Sequence, residues 1–543
     1  MNIVPEPLNL ASRLAQDYIH RFDQVSGLYG GDFRSERSFA ERAAWLDLSE
    51  DKRTPRKALV SCLRAYNKKH NNHPAVHTSL DALEQEGTLV MVGGQQSGLF
   101  TGPLLVVYKA ITIIQSAREA QRQLNRPVVP VFWIAGEDHD WDEVNHTYFL
   151  SPDQRLAKVK LDPKDALRTS VSYTKVDRAE WDGLLNELQQ QLPDSEHKGE
   201  LLRLVSESVN DAPCLSDAFA RLLGGMFGKY GLILLDSADP ALRELEVPVF
   251  EAMIKRNEDL CRSYQGAAKE ITGLGYEVQA EVAENGANLF YVHEGRRLLL
   301  FREGDVYSDR KGLVSFTRQE LLDELHQHPA RFSNNVLTRP IMQDSLLPVL
   351  GTILGPGEIS YWAITRDAFA DLGLRMPLII PRMSFTLLDG TVHKYMDKYE
   401  LTFQDVLLHL AEKRDAWLAG QDKLNLDERF AETKAAFEAL YQPLIEDIGE
   451  MQAGLLKLGE TNRAKILEQM DFLLSRSKSA LAQQHEAALA QWKRIELSLL
   501  PEGSPQERVY NIIEYMNRYG LNLVDRLMEI PYEGSGTHRV VFV

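Results

Sequence analysis

Four ionisable side chains stand in a row at Glu137, Asp138, His139 and Asp140, directly after the apolar run Pro127–Ala135, and Asp142, Glu143 and His146 follow closely. Charges this close repel or shift one another unless a cation or a hydrogen-bond donor sits beside them. A carboxylate next to an imidazole suits general-base work on an amine or a thiol, because histidine titrates near neutral pH. The same residue types suit Mg²⁺ or Zn²⁺, although neither HExxH nor a His-x₃-His spacing is present. A solvated acidic loop is the plain alternative.

Three further clusters carry polar chemistry. GGQQSGLFTGP sets Gly93, Gly94, Gly98 and Gly102 between a strand-like run and a helix, where glycine admits a ligand close to the backbone and a helix start offers free N–H groups. Gln95 and Gln96 add amides, and Thr101 is a candidate helix cap with Pro103 in the first turn. The segment lacks the Lys-Ser/Thr of a P-loop and does not fit GxGxxG, so tight turn packing competes as an explanation. RFSNNVLTRPIMQD holds Asn334, Asn335, Arg339 and Gln343, and an arginine fork there could clamp a carboxylate or a phosphate. GPGEISYW adds Glu358, Tyr361 and Trp362 as groups able to close over a small polar substrate. Arg382, Ser384 and Thr386, with Gln506, Arg508 and Asn511, form a candidate second anion or nucleotide site, which helix capping and salt bridges explain equally well.

The elements that position these clusters read as alternating strand and helix. Apolar runs at Thr88–Val92, Pro127–Ala135, Gly231–Leu235 and Met376–Ile380 each end in a polar cluster, and the helix Leu104–Ala117 follows the first. That order opens a parallel sheet with helical crossovers, whose ligands bind beyond the carboxyl ends of the strands. Charged helical sequence at 151–225, with a strand pair around Ala157–Val176, and a mixed segment at 255–330 do not continue the pattern and read as insertions. The core is then expected at 1–150, 226–254 and 331–390, a helical arm at 391–502 and a return to the core at 503–543. In the arm, Phe430, Phe437, Leu444, Met451 and Leu458 recur every seven residues, with Tyr441, Ile448 and Leu455 between them. After a break at Gly459, Leu467, Leu474, Leu481, Ala488 and Ile495 repeat the step, as an antiparallel coiled-coil hairpin requires. The stretch KKHNNHPAVH, with His70, His73 and His77, reads as a solvated loop because Asn71, Asn72 and Pro74 interrupt any helix.

Length and charge limit the function. At 543 residues the chain exceeds a single core, and a net charge of −17 argues against a nucleic-acid surface. The apolar stretch Leu99–Ile114 is broken by Lys109 and is too short to span a bilayer. The start lacks the pattern of a signal peptide, so a cytoplasmic setting is expected. Cys62, Cys214 and Cys261 lie far apart and suggest neither disulfides nor a cysteine-ligated metal.

Taken together, VGGQQSGLFTGP, PVFWIAGEDHDWDEVN, RFSNNVLTRPIMQD, GPGEISYW and PQERVYNIIEYMNRYG, in that order over the whole length, resemble the cysteine-adding enzyme family of bacillithiol biosynthesis (BshC, a cysteine ligase). The resemblance implies an α/β fold: a Rossmann-like parallel-sheet core related to nucleotidylyltransferases and class I aminoacyl-tRNA synthetases, with two inserted connecting modules and an antiparallel coiled-coil arm used for dimerisation. GLFTGPL stands where those relatives carry HxGH, with both histidines absent, and PRMS matches their second signature only faintly. The implied reaction joins L-cysteine to the amine of glucosaminyl-malate. In it, Gly94, Gln95, Gln96, Gly98 and Thr101 position substrate or phosphate, Glu137, Asp138, His139 and Asp140 serve the amine, and Arg339 holds a carboxylate. Asn335, Gln343, Glu358, Tyr361 and Trp362 complete the substrate site. ATP or ADP with Mg²⁺ is the implied cofactor, no tightly bound metal is expected, and the implied assembly is a homodimer through the coiled coil. A metal-dependent amide hydrolase and a non-catalytic scaffold using the arm are the rival readings.

Overall fold

The computed structural model describes residues 2–7, 12–162 and 169–543, and the chain forms two compact units, 1–387 with 506–543, and 388–505. Its centre is a five-stranded parallel sheet in the spatial order Leu378–Pro381, Val349–Leu354, Leu89–Gln95, Val128–Ile134, Ile233–Asp236. All but Gln95 of these strand residues are buried, which accounts for apolar runs without alternation. The strand Val349–Leu354 has no counterpart in the expected set, and it lies beside Leu89–Gln95. The chain therefore builds outward from Leu89–Gln95 on one side, then returns to its other side. The point of reversal is where an open α/β sheet leaves a crevice.

The helix Leu104–Leu124 runs a further two turns beyond the expected end and packs on the two central strands. Thr101 does not cap it. Pro103 is the cap residue without a side-chain bond, and Leu104 N donates to Tyr510 O at 2.8 Å. The preceding turn holds three successive residues at positive φ, Phe100 (52°), Thr101 (79°) and Gly102 (69°), a conformation costing about 1–3 kcal/mol for each non-glycine. Asn511 fastens it: Nδ2 donates to Phe100 O at 2.8 Å, Gly102 O at 2.9 Å and Thr147 Oγ1 at 3.1 Å. Replacing Asn511 by Ala strands buried carbonyls and is expected to remove about 3 kcal/mol of stability. Chemical denaturation reads this directly, and an unmoved midpoint would mean that the turn holds itself.

Three further sheets accompany it among the described residues. Ser315–Thr317, Val306–Asp309, Arg296–Glu303, Gly286–His293 and Phe332–Asn334 form an antiparallel sheet in that order. Its central hairpin turns on Glu294 and Gly295, both at positive φ (49° and 78°), the geometry that two-residue hairpins favour. Asn2–Glu6 pairs antiparallel with His538–Phe542, next to Ser384–Leu388. A strand pair joins His146–Leu150 to Leu156–Lys160, earlier than expected, and the 163–168 portion of the expected pair lies outside the described residues. In the histidine stretch only 71–73 is loop, with Asn72 and His73 exposed, and helices flank it on both sides. His70 ends the helix Arg56–His70, buried 3.6 Å from Asp217, and His73 caps the helix Pro74–Glu84.

In the second unit Leu426–Met451 and Ala453–Gln484 form the helical hairpin. The turn falls at Gln452, not Gly459, which lies inside the second helix opposite Ile445. A Cβ there would sit 3.0 Å from Ile445, so glycine permits the close approach. Tyr399, Trp417 and Trp492 pack together at the unit's other end, with centroid separations of 4.7–6.2 Å. None of the described helices is long and apolar enough to cross a membrane.

Candidate active site

A cavity of about 580 Å³ opens at the carboxyl ends of the central strands. Gly94, Gln95 and Gln96 line it from the first strand, Glu137, Asp138, His139 and Asp140 from the loop after the second, and Glu358 and Tyr361 from the helix Pro356–Trp362. Asn335 and Arg339 complete one wall, and Phe290, Arg297 and Asn334 of the antiparallel sheet form the other. Four clusters that are distant in sequence therefore meet in one place.

Gly98, Thr101, Gln343 and Trp362 do not line the cavity. Gly98 packs on Gly102, where a Cβ would lie 2.8 Å from Cα, and Thr101 is fully buried in the strained turn. Gly94 is also constrained by packing, since a Cβ would meet Trp133 O at 2.8 Å. The glycines thus serve turn packing first. Trp362 is buried against Phe369. Gln343 is buried and acts on the site indirectly, accepting from Arg339 Nη1 at 3.3 Å. Arg339 Nη2 donates to Tyr361 Oη at 2.8 Å. Both partners are neutral, and among the described residues Arg339 forms no ion pair within 4.0 Å.

The acidic loop is held from all sides. Asp138 Oδ2 accepts from Gln96 Nε2 at 2.6 Å, and Oδ1 accepts from the His139 amide at 2.7 Å. Val171 N and Ser172 N bond back to Asp138 O (2.7 Å) and Gly136 O (3.0 Å). Arg297, unnoticed in the sequence, donates to His139 Nδ1 at 3.0 Å and lies 3.6 Å from Asp138. Lys109, noted only as an interruption, is a buried ammonium bonded to Gly94 O (2.7 Å), Gln95 Oε1 (2.9 Å) and Glu358 Oε2 (2.6 Å). It ties the Gly-rich strand to the helix carrying Tyr361, and burial lowers its pKa against the pull of Glu358. A charge inside an otherwise apolar helix face was the signal that could have revealed it.

Behind the loop, Arg243 sits between Glu137 and Glu246, all three buried. Burial pushes Glu246 up to about 7, beyond what Arg243 can hold down, with Glu137 adding to the rise. A carboxyl raised in the folded state favours folding while protonated, so its contribution is complete below its unfolded pKa and is lost as pH rises through about 7. Between about pH 5 and pH 8 the urea midpoint of the wild type should fall relative to that of Glu246→Gln, by the equivalent of about 1–3 kcal/mol. Parallel pH curves for the two proteins would contradict this.

The expected second anion site is closed. Arg382 makes two bonds to Glu507, at 3.0 and 2.6 Å, and Ser384 and Thr386 bond opposite nitrogens of His538 at 2.7 and 2.9 Å. Gln506 pairs with both backbone groups of Leu387, Asn511 holds the strained turn, and Arg508 is exposed on the short helix Gln506–Val509. These groups are assembled, but as structure. The helix start after the Gly-rich turn, expected to position substrate or phosphate, is likewise covered by Tyr510 O. Asp138, His139 and Asp140 can place ligand atoms within 4.8 Å of one another. Arg297, however, already engages His139 Nδ1 and stands beside Asp138, where a second cation would be repelled.

The family description "Bacillithiol biosynthesis BshC, N-terminal Rossmann-like domain" matches residues 1–383, and "Bacillithiol biosynthesis BshC, C-terminal coiled-coil domain" matches 385–543. The chain belongs to the BshC family. Among relatives named "Putative cysteine ligase BshC", that of Geobacillus thermodenitrificans is 36% identical over 546 residues, covering 100% of both chains. That of Bacillus cereus strain Q1 is 35% identical over 487 residues, covering 90% of each. A solved structure described as a "putative arginyl t-RNA synthetase" from Campylobacter jejuni aligns over 80% of this chain and 98% of its own, at 11% identity and a TM-score of 0.22. The BshC match spans both units, and its Rossmann-like and coiled-coil domains are the parallel-sheet core and the helical hairpin described above.

Proposed function

We propose that this BshC-family chain is a cysteine ligase that joins L-cysteine to the amine of glucosaminyl-malate, forming the amide that completes bacillithiol. The observation carrying the reading is Arg339, a guanidinium on the cavity wall whose hydrogen-bond partners Gln343 and Tyr361 are both neutral. A guanidinium on the cavity wall with no ion-pair partner within 4.0 Å among the described residues, and with Glu358 and Glu137 acting on it only from farther off, favours an anionic ligand, and the planar fork suits a carboxylate such as those of malate. Asp138 and His139 line the same cavity, and this reading gives them the sugar amine. Family membership supplies the reaction class. Condensation of a carboxylate with an amine is uphill in water, so ATP with Mg²⁺ belongs to the proposal as the activating reagent, and a cytoplasmic setting goes with it. Arg382, Ser384 and Thr386, expected to meet the nucleotide, are bonded instead to Glu507 and His538.

Mass spectrometry on the purified chain with cysteine and glucosaminyl-malate, with and without ATP and Mg²⁺, tests the reading. Product that depends on ATP supports it. Absence of product under every condition, from folded protein, overturns it.

A homodimer through the hairpin is part of the same proposal. Leu440, Leu444 and Met451 fall on one stripe of the helix Leu426–Met451 and are 79%, 51% and 80% exposed, so an apolar seam lies open along it. Leu440→Glu with Leu444→Glu should convert dimer to monomer in sedimentation while each chain stays folded. An unchanged sedimentation coefficient would place the interface elsewhere.

A further inference from the structure

We propose that the buried Lys109 is a positioning residue that fixes the Gln95 side chain with its NH2 toward the cavity, where it donates to an oxygen of the ligand. The hydrogen-bond pattern decides the orientation. Lys109 Nζ has three acceptors, Gly94 O at 2.7 Å, Gln95 Oε1 at 2.9 Å and Glu358 Oε2 at 2.6 Å. An ammonium has three N–H groups and no lone pair, so each proton finds one partner. Turning the Gln95 amide over would set its N–H groups against those of Lys109. It would also leave an ammonium proton without a partner on a side chain only 1% exposed.

The surroundings hold this arrangement in place. Gln95 ends the strand Leu89–Gln95, where its backbone carbonyl accepts from Ala135 N at 2.9 Å. Glu358 Oε2 accepts from Gly355 N at 2.7 Å as well as from Lys109, so the ammonium is anchored from the far side. Gln95 is half-buried on the cavity wall, and among the described residues nothing accepts from its Nε2. Gln96 is set the opposite way. Its Nε2 donates to Asp138 Oδ2 at 2.6 Å, which leaves its side-chain oxygen for the cavity it lines. Two identical side chains, adjacent in sequence, therefore offer opposite polarity.

A neutral donor beside a neutral acceptor suits the two sides of an amide, a carbonyl oxygen and an N–H. Resting on the ligase reading, Gln96 with Asp138 serves the sugar amine, and Gln95 donates to the cysteinyl oxygen that becomes the amide carbonyl. Negative charge grows on that oxygen as the amine attacks, so the donor matters most in the transition state. Lys109, fourteen residues after Gln95, is what gives the two glutamines different work.

Side-chain ¹H–¹⁵N spectra of the full chain with labelled glutamine read the orientation, the two signals being those lost in Gln95→Met and in Gln96→Met. The expected result is a Gln95 NH2 that exchanges with water about tenfold or more faster than that of Gln96, which Asp138 holds. Equal protection of the two overturns the proposal. In turnover, Gln95→Met should fall about a hundredfold, mostly in kcat. Gln95→Glu keeps a partner for Lys109 but turns only lone pairs to the cavity, and should fall about a thousandfold. A Glu variant more active than the Met variant overturns the proposal as well. Lys109→Met with Glu358→Gln removes both charges together and frees the amide to turn. In that background the added loss from Gln95→Glu should shrink to about tenfold. Full additivity in folded protein would show that Lys109 does not act through Gln95; if the pair of changes unfolds the chain, the spectra and the order of the Gln95 variants decide alone. If the wild type makes no product, the ligase reading falls while the spectra still decide the orientation.

Discussion

Arg339→Leu is expected to lower kcat/KM for glucosaminyl-malate about a thousandfold, close to 4 kcal/mol, with most of the loss in KM. The magnitude follows from where the side chain sits. Arg339 opens the helix Arg339–Leu346, and Gln343 and Tyr361 orient its guanidinium without neutralising it. A carboxylate arriving there gains a charge-assisted pair of bonds on the cavity wall. Its loss leaves that carboxylate desolvated and unpaired. The malate group is remote from the reacting amine, so the interaction is the same before and during reaction and should appear as weakened binding. Arg339→Lys keeps the charge but not the fork and should recover only part of the loss. A glucosamine derivative without malate provides the control, since the substitution should barely affect its turnover. Equal losses on both substrates would remove Arg339 from carboxylate recognition and with it the main support for the functional reading.

Asp344→Ala is expected to destabilise the first unit by about 3–5 kcal/mol. Asp344 lies on the same helix as Arg339 and is fully buried between Arg42 and Arg53. Arg42 also donates to Val349 O and to Arg375 O (2.7 Å), and Arg53 donates to Ser49 O at 3.0 Å. One carboxylate therefore balances two buried guanidinium groups that join an N-terminal helix to a central strand. Alanine would leave both charges uncompensated. Asp344→Asn preserves shape and acceptor oxygen but not charge and should fall between the two. Denaturation followed by tryptophan fluorescence separates the three proteins, and near-equal midpoints would show that water reaches the arginines.

The parallel core was readable because a strand covered on both faces must be apolar throughout, as Val128–Ile134 is. Val349–Leu354 escaped because its short apolar run is framed by Pro348 and Gly355, residues that punctuate loops as readily as they bound a buried strand. In the hairpin both helices carry the same seven-residue step, so periodicity continues through Gln452 and gives no sign of the turn. Gly459 drew attention as a helix breaker, yet the missing side chain serves the contact with Ile445. At the site, Asp138, His139 and Arg339 were visible as polar residues crowded beside turns. Arg297 and Lys109 were not, because each sits inside a regular element and its importance lies in partners about 160 and 250 residues away in sequence, His139 and Glu358. The candidate nucleotide residues failed for the converse reason. Their polar groups lie close together, but Arg382, Ser384 and Thr386 are taken up by Glu507 and His538, Gln506 by the Leu387 backbone and Asn511 by the strained turn.

The pairing of Asn2–Glu6 with His538–Phe542 joins the first strand to the last. During synthesis at roughly 5–20 residues per second, the opening strand waits roughly half a minute to two minutes for its partner to exist. Asn511, which secures the strained turn before the helix Leu104–Leu124, emerges almost as late. The nascent chain therefore carries an exposed strand edge and an unsecured turn until these partners emerge. A permuted chain that begins after the hairpin unit and links the old ends through a short connector would make both contacts early. Its refolding rate, compared with that of the natural order, would show how much of the folding time is spent closing this longest loop.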